Sequence, residues 1–453
     1  MAKSMLLAAT RDVLLQHAKE REQTLQEINF ALQEVRASQS WQLLQIISSK
    51  ASIFRPFFIW VARLLLRILV GFNSTREKKG SKRHLPGTTR LRNDVWLASQ
   101  KTGSKVEEMA KVIRACGYFD EEWYQGCYSE SIEYPDDLLL DYLLIGVHQG
   151  RDPSPYFNTI LYLREHEVSS EEALFHFLKS GHQITPGAYR SAEALKAAQT
   201  AYRENTNTKL IGDWRHDSST IAIYLQCGSG ALFGGWWKES GSPWHLLVNH
   251  YDPTYAGKIP CDVEFKQVGS QPGTKFTSFY SLLCEYAHII SPYEYILLLD
   301  DDVLFEQEDI LRLFSIIKEN ALDLAQASLS TDSYFAFPLF VNSIRKGLRM
   351  VNGVEIMMPV ISKQILSLGI DCWGQTISGW GLDIVMAKMA IENGLKAAII
   401  DDVVARHLKP INADIGNYYQ MLHKAMIYPE IEFSHLQKKY RIYGDMFYET
   451  GHG

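Results

Sequence analysis

Three consecutive aspartates follow an apolar run, and of all the residues in the sequence they are the best candidates for metal or substrate binding. In "YILLLDDDVLF" (residues 295–305), leucine and isoleucine side chains lead directly into Asp300, Asp301 and Asp302. Side chains alternate along a strand, so Asp300 and Asp302 are expected on one side and Asp301 on the other. Clustered carboxylates repel one another, and Mg²⁺ or Mn²⁺ relieves the repulsion because hard cations prefer oxygen ligands. The motif predicts a metal that holds a diphosphate, with Asp301 the easiest to lose; the alternative is an acidic turn before a helix.

A second acidic position lies in "SGWGLD" (residues 378–383). Gly379 and Gly381 allow a tight backbone around Trp380, and Asp383 falls in the first turn of the next predicted helix. The helix dipole favours a carboxylate there and keeps it ionised. Such a carboxylate beside an aromatic wall can act as a general base towards a sugar hydroxyl. The alternative is that Asp383 only caps its helix.

Two more side chains can contribute to a metal–diphosphate site. His407, in "DDVVARHLKP" (residues 401–410), follows a predicted strand and can supply a nitrogen ligand, although a lone histidine is more often structural. Lys275, in "QPGTKF", can contact a phosphate, but a lysine that only solvates its loop is the favoured interpretation. The residue types alone leave both assignments open.

These motifs lie in a segment of alternating strands and helices that begins near Ser219. The predicted strands are 221–226, 244–252, 263–269, 293–300, 354–362 and a last one at 397–400. The predicted helices are 277–290, 307–320 and 382–394. This alternation predicts an α/β fold with a mostly parallel sheet flanked by helices. Ligands of such sheets bind outside the carboxyl ends of the strands, where the aspartates lie.

The order of the motifs resembles that of metal-dependent, GT-A-type glycosyltransferases. The segments "VNHYDPTY", "TKFTSFYSLL", "YEYILLLDDDV", "VEIMMPVIS", "GWGLD" and "DDVVARH" together resemble the glycosyltransferase family described as domain of unknown function 707, over roughly residues 219–410. The resemblance implies a GT-A-like, Rossmann-type fold, a nucleotide-sugar donor, and Mn²⁺ or Mg²⁺ as cofactor.

The resemblance also assigns roles on the donor side. Asp302 matches the carboxylate that binds Mn²⁺ or Mg²⁺ directly. Asp300 matches the one directed to the nucleotide ribose or to the metal. His407 matches a further metal ligand. Independently of the resemblance, Lys275 is placed with Asp300 among the candidate donor-binding residues.

On the acceptor side, the resemblance makes Asp383 the catalytic base of an inverting transferase. Trp380 and Glu355 match positions that line the acceptor. Transferases with this motif often carry two acidic residues after the GWG segment, whereas here Leu382 precedes the single Asp383.

An internal repeat in residues 111–187 precedes the α/β segment. "YFDEEWY" (118–124) recurs as "YFNTILY" (156–162), and Gly146 matches Gly181. Each copy predicts an aromatic start, a helix and a C-capping glycine. The joint "GRDPSPYF" resembles that of helical repeats preceding the catalytic domains of bacterial polysaccharide glycosyltransferases. The favoured interpretation of the repeat is nevertheless a purely structural spacer.

The remaining segments complete the predicted domain organisation. Residues 1–40 have the apolar spacing of a short coiled coil, which would permit a homo-oligomer; a single surface helix is the alternative. Residues 41–72 are predicted to form a basic amphipathic helix, whose arginines disfavour a membrane span and favour the membrane interface; a soluble docking helix is the alternative. Residues 73–110 and 188–215 are predicted linkers, and 216–453 the catalytic domain.

Charge and cysteine usage limit the cellular setting. Residues 1–110 contain 18 Lys and Arg against 9 Asp and Glu, although the whole chain has a net charge of -6. A basic leader favours an anionic membrane surface, contacted through residues 41–92, and the acidic body argues against a nucleic-acid partner. Six dispersed cysteines and a polar N-terminus favour a cytoplasmic protein, peripheral at the inner face of the cell membrane.

Together these features predict a metal-dependent, inverting glycosyltransferase of bacterial surface polysaccharide biosynthesis. Its donor is a nucleotide sugar, and its acceptor a glycan or a lipid-linked glycan. Two alternatives remain at this point: a non-catalytic membrane scaffold for polysaccharide assembly, motivated by the leader and repeats, and a metal phosphoesterase that uses the same aspartates.

Overall fold

A computed structural model provides the structure of the chain. It describes residues 106–452 apart from 215–217, 229, 233–241, 253, 255–256, 258–259, 344–346, 410–415 and 445. The predicted coiled coil, the amphipathic helix and the linker up to residue 105 lie outside the described residues. Within the described part of the chain, no helix is both long and apolar enough to cross a membrane.

The first described part is helical and contains both copies of the repeat. Residues 106–116 are helical, so the predicted linker 73–110 cannot extend to residue 110. The helices that follow are α1 (Glu121–Tyr128), α2 (Leu138–Leu144), α3 (Thr159–Glu165) and α4 (Ser170–Ser180). They enclose an aromatic core in which Tyr124, Tyr142 and Tyr162 are completely buried. The two short units thus share one apolar core, which neither unit could bury alone.

The two copies begin their helices in the same way. Asp120 and Asn158 each accept a hydrogen bond from the backbone N–H three residues on, at 3.1 and 2.9 Å, and so cap α1 and α3. The predicted C-cap is present at Gly181, which ends α4 in the left-handed region with φ 72°. It is wrong for Gly146, which begins a 3₁₀ turn that ends at the left-handed Gly150.

The segment 188–215, predicted to be a linker, is structured. The elements in and just before it are β1 (Ile184–Thr185), β2 (Ala188–Tyr189), α5 (Ala192–Glu204) and β3 (Asn207–Ile211). Leu195 and Tyr202 on α5 are buried, and β3 pairs along its whole length with a strand of the main sheet. The linker prediction fails because the apolar side chains of this segment find partners far away in the sequence.

The rest of the chain is built around one mixed sheet. Its other strands are β4 (Ile221–Cys227), β5 (His245–His250), β6 (Val263–Val268), β7 (Tyr295–Leu299), β8 (Val303–Leu304), β9 (Leu324–Leu329), β10 (Leu348–Val351), β11 (Val360–Ser362), β12 (Ala397–His407) and β13 (Glu449–His452). Their order is β13-β10-β12-β9-β11-β7-β4-β5-β6-β3, and β8 pairs with β12 outside this order. The predicted parallel arrangement is confirmed for β7-β4-β5-β6 and for β9 with β12; the other pairs are antiparallel.

Helices accompany the sheet. They are α6 (Lys275–Glu285), α7 (Ala287–Ile290), α8 (Gln307–Asn320), α9 (Lys363–Leu368), α10 (Ile370–Trp373), α11 (Leu382–Glu392), α12 (Asn417–Lys424) and α13 (Pro429–Tyr440). The predicted helices 307–320 and 382–394 correspond to α8 and α11. The predicted helix 277–290 is interrupted at Tyr286. The hydroxyl of this residue accepts from Leu210 N and donates to the Thr208 carbonyl of β3, both at 3.4 Å.

Two strand predictions need correction. Only β11 of the predicted strand 354–362 is a strand, because the chain turns at Ile356 and Met357, where Lys275 Nζ donates to both carbonyls. The strand predicted at 397–400 continues to His407, and β13 follows it. Strands β4, β5 and β7 run parallel and are almost entirely buried, so their carboxyl ends meet at one edge of the sheet.

Candidate functional site

Asp302 and His407 lie side by side at this edge. Strand β8 begins directly after the three aspartates and pairs antiparallel with the end of β12, which places Val303 opposite His407. His407 Nε2 lies 3.4 Å from Asp302 Oδ1, and Leu408 N donates to the Asp302 carbonyl at 3.1 Å. The structure therefore brings together two of the predicted metal ligands.

The backbone fixes the other ring nitrogen of His407. His407 Nδ1 lies 2.9 Å from the carbonyl oxygen of Tyr334, so Nδ1 carries the donated proton and Nε2 faces Asp302 with its lone pair when the ring is neutral. Burial lowers the pKa of His407, but the bonds to Asp302 and Tyr334 outweigh burial and raise it overall. Burial raises the pKa of Asp302, but His407 and Lys409 outweigh it and lower that pKa.

This pair has the donor chemistry of a Mn²⁺ or Mg²⁺ site. It offers carboxylate oxygen and imidazole nitrogen, with the imidazole oriented by a second hydrogen bond as in known metal sites. Among the described residues, no three His, Cys, Asp or Glu side chains are grouped to hold a metal by themselves. A two-residue set fits a metal that substrate phosphates complete, because Mg²⁺ is usually held by one or two carboxylates plus phosphate and water oxygens.

Lys275 is a buried partner of Asp300. It is the first residue of α6 and only 5% exposed, and its Nζ lies 2.5 Å from Asp300 Oδ1. The same Nζ donates to the carbonyls of Ile356 and Met357 at 2.9 and 3.2 Å. The prediction that Lys275 only solvates a loop is wrong, because a buried ammonium group requires partners. Burial raises the pKa of Asp300, and the Lys275 charge offsets this only in part.

Asp301 ties the aspartate turn to the loop that follows β4. Its Oδ2 accepts hydrogen bonds from Gly228 N and from the Tyr251 hydroxyl, both at 3.2 Å. Lys409 Nζ lies 3.6 Å from Asp301 Oδ1 and 3.5 Å from Asp302 Oδ2. The turn therefore undoes the alternation expected of a strand, since Asp301 and Asp302 share a cation. Sequence reasoning missed this bridging position of Asp301.

Glu355 is a buried carboxyl group at the centre of the predicted site residues. It is 7% exposed, and its Oε2 has no hydrogen-bond partner among the described residues. Its backbone N–H donates to the Gln326 side chain at 2.7 Å, which fixes the start of the loop whose carbonyls bind Lys275. Burial, followed by the neighbouring charge of Asp383, raises the pKa of Glu355 to about 8. Glu355 is therefore largely protonated at neutral pH.

Asp383 lies in the first turn of α11 but does not cap it. The N-cap is Gly381, in the left-handed region with φ 87°, and Asp383 Oδ1 accepts from the following N–H of Ile384 at 2.9 Å. Burial raises the pKa of Asp383 to about 6, and the Ile384 N–H opposes the shift. Burial thus outweighs the helix dipole expected to lower this pKa, although the carboxyl group is still mostly ionised at pH 7.

Glu432 holds the segment that leads into GWG, and sequence reasoning missed it. Its buried carboxylate on α13 accepts from Thr376 Oγ1, Ile377 N and Ser378 N at 3.0, 2.8 and 2.9 Å. It also accepts from Gln199 of α5 at 2.7 Å. A single acid in a helix of mixed composition gives no signal in the sequence, because its role depends on a loop more than fifty residues away.

Trp380 forms a partly exposed aromatic wall next to Asp383. Its ring meets that of Tyr419 nearly perpendicularly, with centroids 5.9 Å apart. Gly379 has φ 84°, and a Cβ there would come within 2.2 Å of the Phe276 ring. The glycine is therefore required for the turn that presents Trp380.

Comparisons with known proteins identify no relative by sequence. No protein-family model matches the chain, so the resemblance to the family described as domain of unknown function 707 stays a prediction. No curated protein matches it either.

Solved structures show weak similarity. S. aureus TarS in complex with UDP-GlcNAc is 11% identical, with a TM-score of 0.31, over 46% of this chain and 65% of that one. A197 from STIV is 13% identical, with a TM-score of 0.26, over 42% of this chain and 86% of that one. The chain spans about 65% of the length of the TarS chain it matches. Similarity at this level assigns neither a family nor an activity.

Proposed function

We propose that this protein is a divalent-metal-dependent glycosyltransferase that transfers a sugar, with inversion, from a nucleotide sugar to a glycan or lipid-linked acceptor. The observation that carries the proposal is the Asp302–His407 pair, 3.4 Å apart at the carboxyl ends of the parallel strands. That edge of an α/β sheet is where ligands bind, and the pair has the donor chemistry of Mn²⁺ or Mg²⁺.

The residues around this pair would bind the metal and the nucleotide-sugar donor. Asp302 and His407, 3.4 Å apart, would hold the metal, and Asp300, fixed by Lys275, would face the ribose or the metal. A bound divalent ion offsets the negative charge that develops on a diphosphate leaving group. Asp301 keeps the turn against the loop after β4, so that Asp302 stays at the edge of the sheet.

Asp383 and Glu355 divide the proton chemistry on the acceptor side. The acceptor hydroxyl oxygen forms a bond to the anomeric carbon while the bond to the diphosphate oxygen breaks, and its electron pair leaves with the diphosphate. The hydroxyl proton passes to Asp383, which is mostly ionised at pH 7 because its pKa is about 6. Glu355 is still protonated there, so it donates a hydrogen bond to the acceptor instead of competing for the proton.

We further propose that this reaction takes place at the inner face of the cell membrane. The basic segment 41–92 supplies the attraction to anionic lipid headgroups, and the predicted coiled coil in residues 1–40 supplies a route to a homo-oligomer. Flotation of the whole chain with anionic and with zwitterionic vesicles tests the membrane part of the proposal.

The central experiment is a thermal-shift screen of the whole chain against UDP-, GDP-, dTDP- and CMP-sugars, with and without Mn²⁺. A ligand present at 100 times its Kd stabilises the folded state by about 2.7 kcal/mol. We expect one nucleotide family to raise the melting temperature, and only when Mn²⁺ is present. Addition of an acceptor extract should then release free nucleoside diphosphate.

Two variants make the screen specific. Asp302→Asn keeps the size of the side chain but removes its charge, and we expect it to abolish the shift; the exposed Asp136→Asn should retain it. A screen in which no nucleotide sugar binds with Mn²⁺ would contradict the proposal. Hydrolysis of simple phosphate esters without a sugar-transfer product would instead support a phosphoesterase, and full biological activity of Asp302→Asn would support a scaffold.

A further inference from the structure

A cleft of about 480 Å³ lies between the helical repeats and α13, and it shares no lining residue with the candidate active site. Its volume is in the range of small-molecule binding sites. Residues of the repeat starts form one side, and Lys438 of α13 forms part of the other.

The floor of the cleft is built where three helix starts meet. Helices α1, α3 and α5 each begin three residues after a tyrosine, namely Tyr118, Tyr156 and Tyr189, and the residue two positions after each tyrosine caps the helix with its side chain. The Tyr118 hydroxyl donates to the Tyr189 carbonyl at 2.6 Å, and Tyr189 N donates to the Tyr156 carbonyl at 2.8 Å. The three starts are thus bonded to one another, and a ligand would enter a preformed surface at little ordering cost.

The lining combines an aromatic face with charged groups of both signs. The half-buried Tyr156 lines the cleft. Asp120 and Lys438 form an ion pair that leaves further acceptor and donor positions on both groups, and Glu121 adds a second carboxylate. Sugar rings have an apolar C–H face suited to an aromatic ring, and their adjacent hydroxyls both donate to carboxylates and accept from cations.

Other ligand classes fit less well. An anion would face Asp120 and Glu121, and the Arg190 guanidinium already donates to the carbonyls of Phe177, Leu178 and His182 at 2.7–3.0 Å. A phosphate would therefore not find the free planar guanidinium that anion sites use. An apolar ligand would cover charged groups without replacing their hydrogen bonds.

From these contacts we propose that the cleft is a binding site for a short, uncharged saccharide. The site is distinct from the candidate active site, yet α13 connects the two. Glu432, which holds the segment before GWG, and Lys438, which lines the cleft, are six residues apart on α13, about 9 Å along its axis. A saccharide in the cleft is therefore held on the same rigid helix that positions Trp380 and Asp383.

An array of immobilised neutral and uronic-acid-containing oligosaccharides, probed with the whole chain, tests the proposal. We expect binding to neutral oligosaccharides, and Tyr156→Leu should weaken it about five- to tenfold because the aromatic face is lost. Glu121→Ala, at an exposed position that does not threaten folding, should weaken it as well. Tyr134→Leu, which replaces an exposed tyrosine outside the cleft, should bind like the wild type.

Asp302→Asn separates this proposal from the proposed function. Array binding that persists in Asp302→Asn supports a cleft independent of the transferase site, whether or not the protein proves to be a transferase. Absence of neutral oligosaccharide binding, binding to acidic oligosaccharides alone, or binding unaffected by both Tyr156→Leu and Glu121→Ala would overturn it. Loss of binding in Asp302→Asn would also overturn it, because the signal would then come from the active site.

Discussion

Asp302 Oδ1 and His407 Nε2 are 3.4 Å apart because β8 and β12 pair in antiparallel register directly after the aspartate turn. The register places Val303 opposite His407, and the Tyr334 carbonyl holds the far side of the imidazole at 2.9 Å. The pairing of the short strand β8 with the end of β12 thus joins two motifs that are far apart in the sequence, and backbone hydrogen bonds hold both residues in place.

Replacement of His407 should weaken metal binding without unfolding the sheet. In His407→Ala, we expect the affinity for Mn²⁺, in the presence of a nucleoside diphosphate, to fall at least about 10–100-fold, the loss that follows removal of even an outer-shell partner. Electron paramagnetic resonance of free Mn²⁺ measures this directly. The exposed His182→Ala is the control, and a Mn²⁺ affinity equal to that of the wild type in His407→Ala would remove His407 from the metal site.

Asp301 should matter more for stability than its place in the motif indicates. It is 13% exposed and accepts from Gly228 N and the Tyr251 hydroxyl, so Asp301→Ala leaves two donors without their partner. We expect a loss of about 1.5–3 kcal/mol in the free energy of unfolding, the range for hydrogen bonds to a charged group, measured by urea denaturation. Tyr251→Phe should cost less, because it removes one of the two bonds.

The exposed Asp136→Ala serves as the matched control for Asp301→Ala. A loss of stability no larger than that of the control would show that the aspartate turn keeps its place without Asp301. The sequence-based ranking of Asp301 as the easiest of the three to lose would then hold for stability as well.

Elements with a strong local signal could be predicted from the sequence. The four parallel strands β4, β5, β6 and β7 and the helix α8 have apolar runs or periodicity of their own, and the structure has them within one or two residues of prediction. The segment 188–215 was mispredicted because it is short, polar in part and stabilised by distant partners. The strand predicted over 354–362 is shorter because the chain turns at Ile356 and Met357, whose carbonyls accept from the distant Lys275 side chain.

In the candidate site too, some residues could be predicted from the sequence and others could not. Acidic and aromatic residues after strands could be identified by type, and the structure places Asp302 beside His407 as expected. The roles of Asp301, Lys275 and Glu432 could not be identified, because each depends on hydrogen bonds to backbone groups elsewhere in the chain. Residue type predicts chemistry, whereas a positioning role requires the contact itself.

Glu355 should make the stability of the protein depend on pH. Its pKa is about 8 in the folded state, raised by burial and by Asp383, against an ordinary value of 4.5. Between these values the folded state holds a proton that the unfolded state has lost. The free energy of unfolding should therefore fall as pH rises from about 5 to about 8, by at most about 1.4 kcal/mol per pH unit. Above that window the contribution is constant.

Glu355→Gln removes this titration and should become more stable relative to the wild type as pH rises through the window. Urea denaturation at several pH values, in the presence of EDTA, measures the difference. The exposed Glu308→Gln is the control and should follow the wild type at every pH. A constant difference between Glu355→Gln and the wild type from pH 5 to pH 8 would show that Glu355 is ionised in the folded protein throughout.

Asp383 should set the pH dependence of sugar transfer. A general base works in its ionised form, so kcat/KM should rise about tenfold per pH unit below pH 6 and level off above it, because the pKa of Asp383 is about 6. Asp383→Asn cannot accept the proton and should lower the rate about 10²–10⁴-fold, with the pH-dependent rise removed.

The profile also separates Asp383 from its acidic neighbour. Near pH 6 Glu355 is protonated and carries no charge that could act on Asp383, so Glu355→Gln should leave the midpoint of the rise unchanged even where it raises KM for the acceptor. A midpoint near pH 8 that disappears in Glu355→Gln would instead make Glu355 the base. That outcome would move the proton acceptor from the first turn of α11 to the loop before β11, on the Lys275 side of the site.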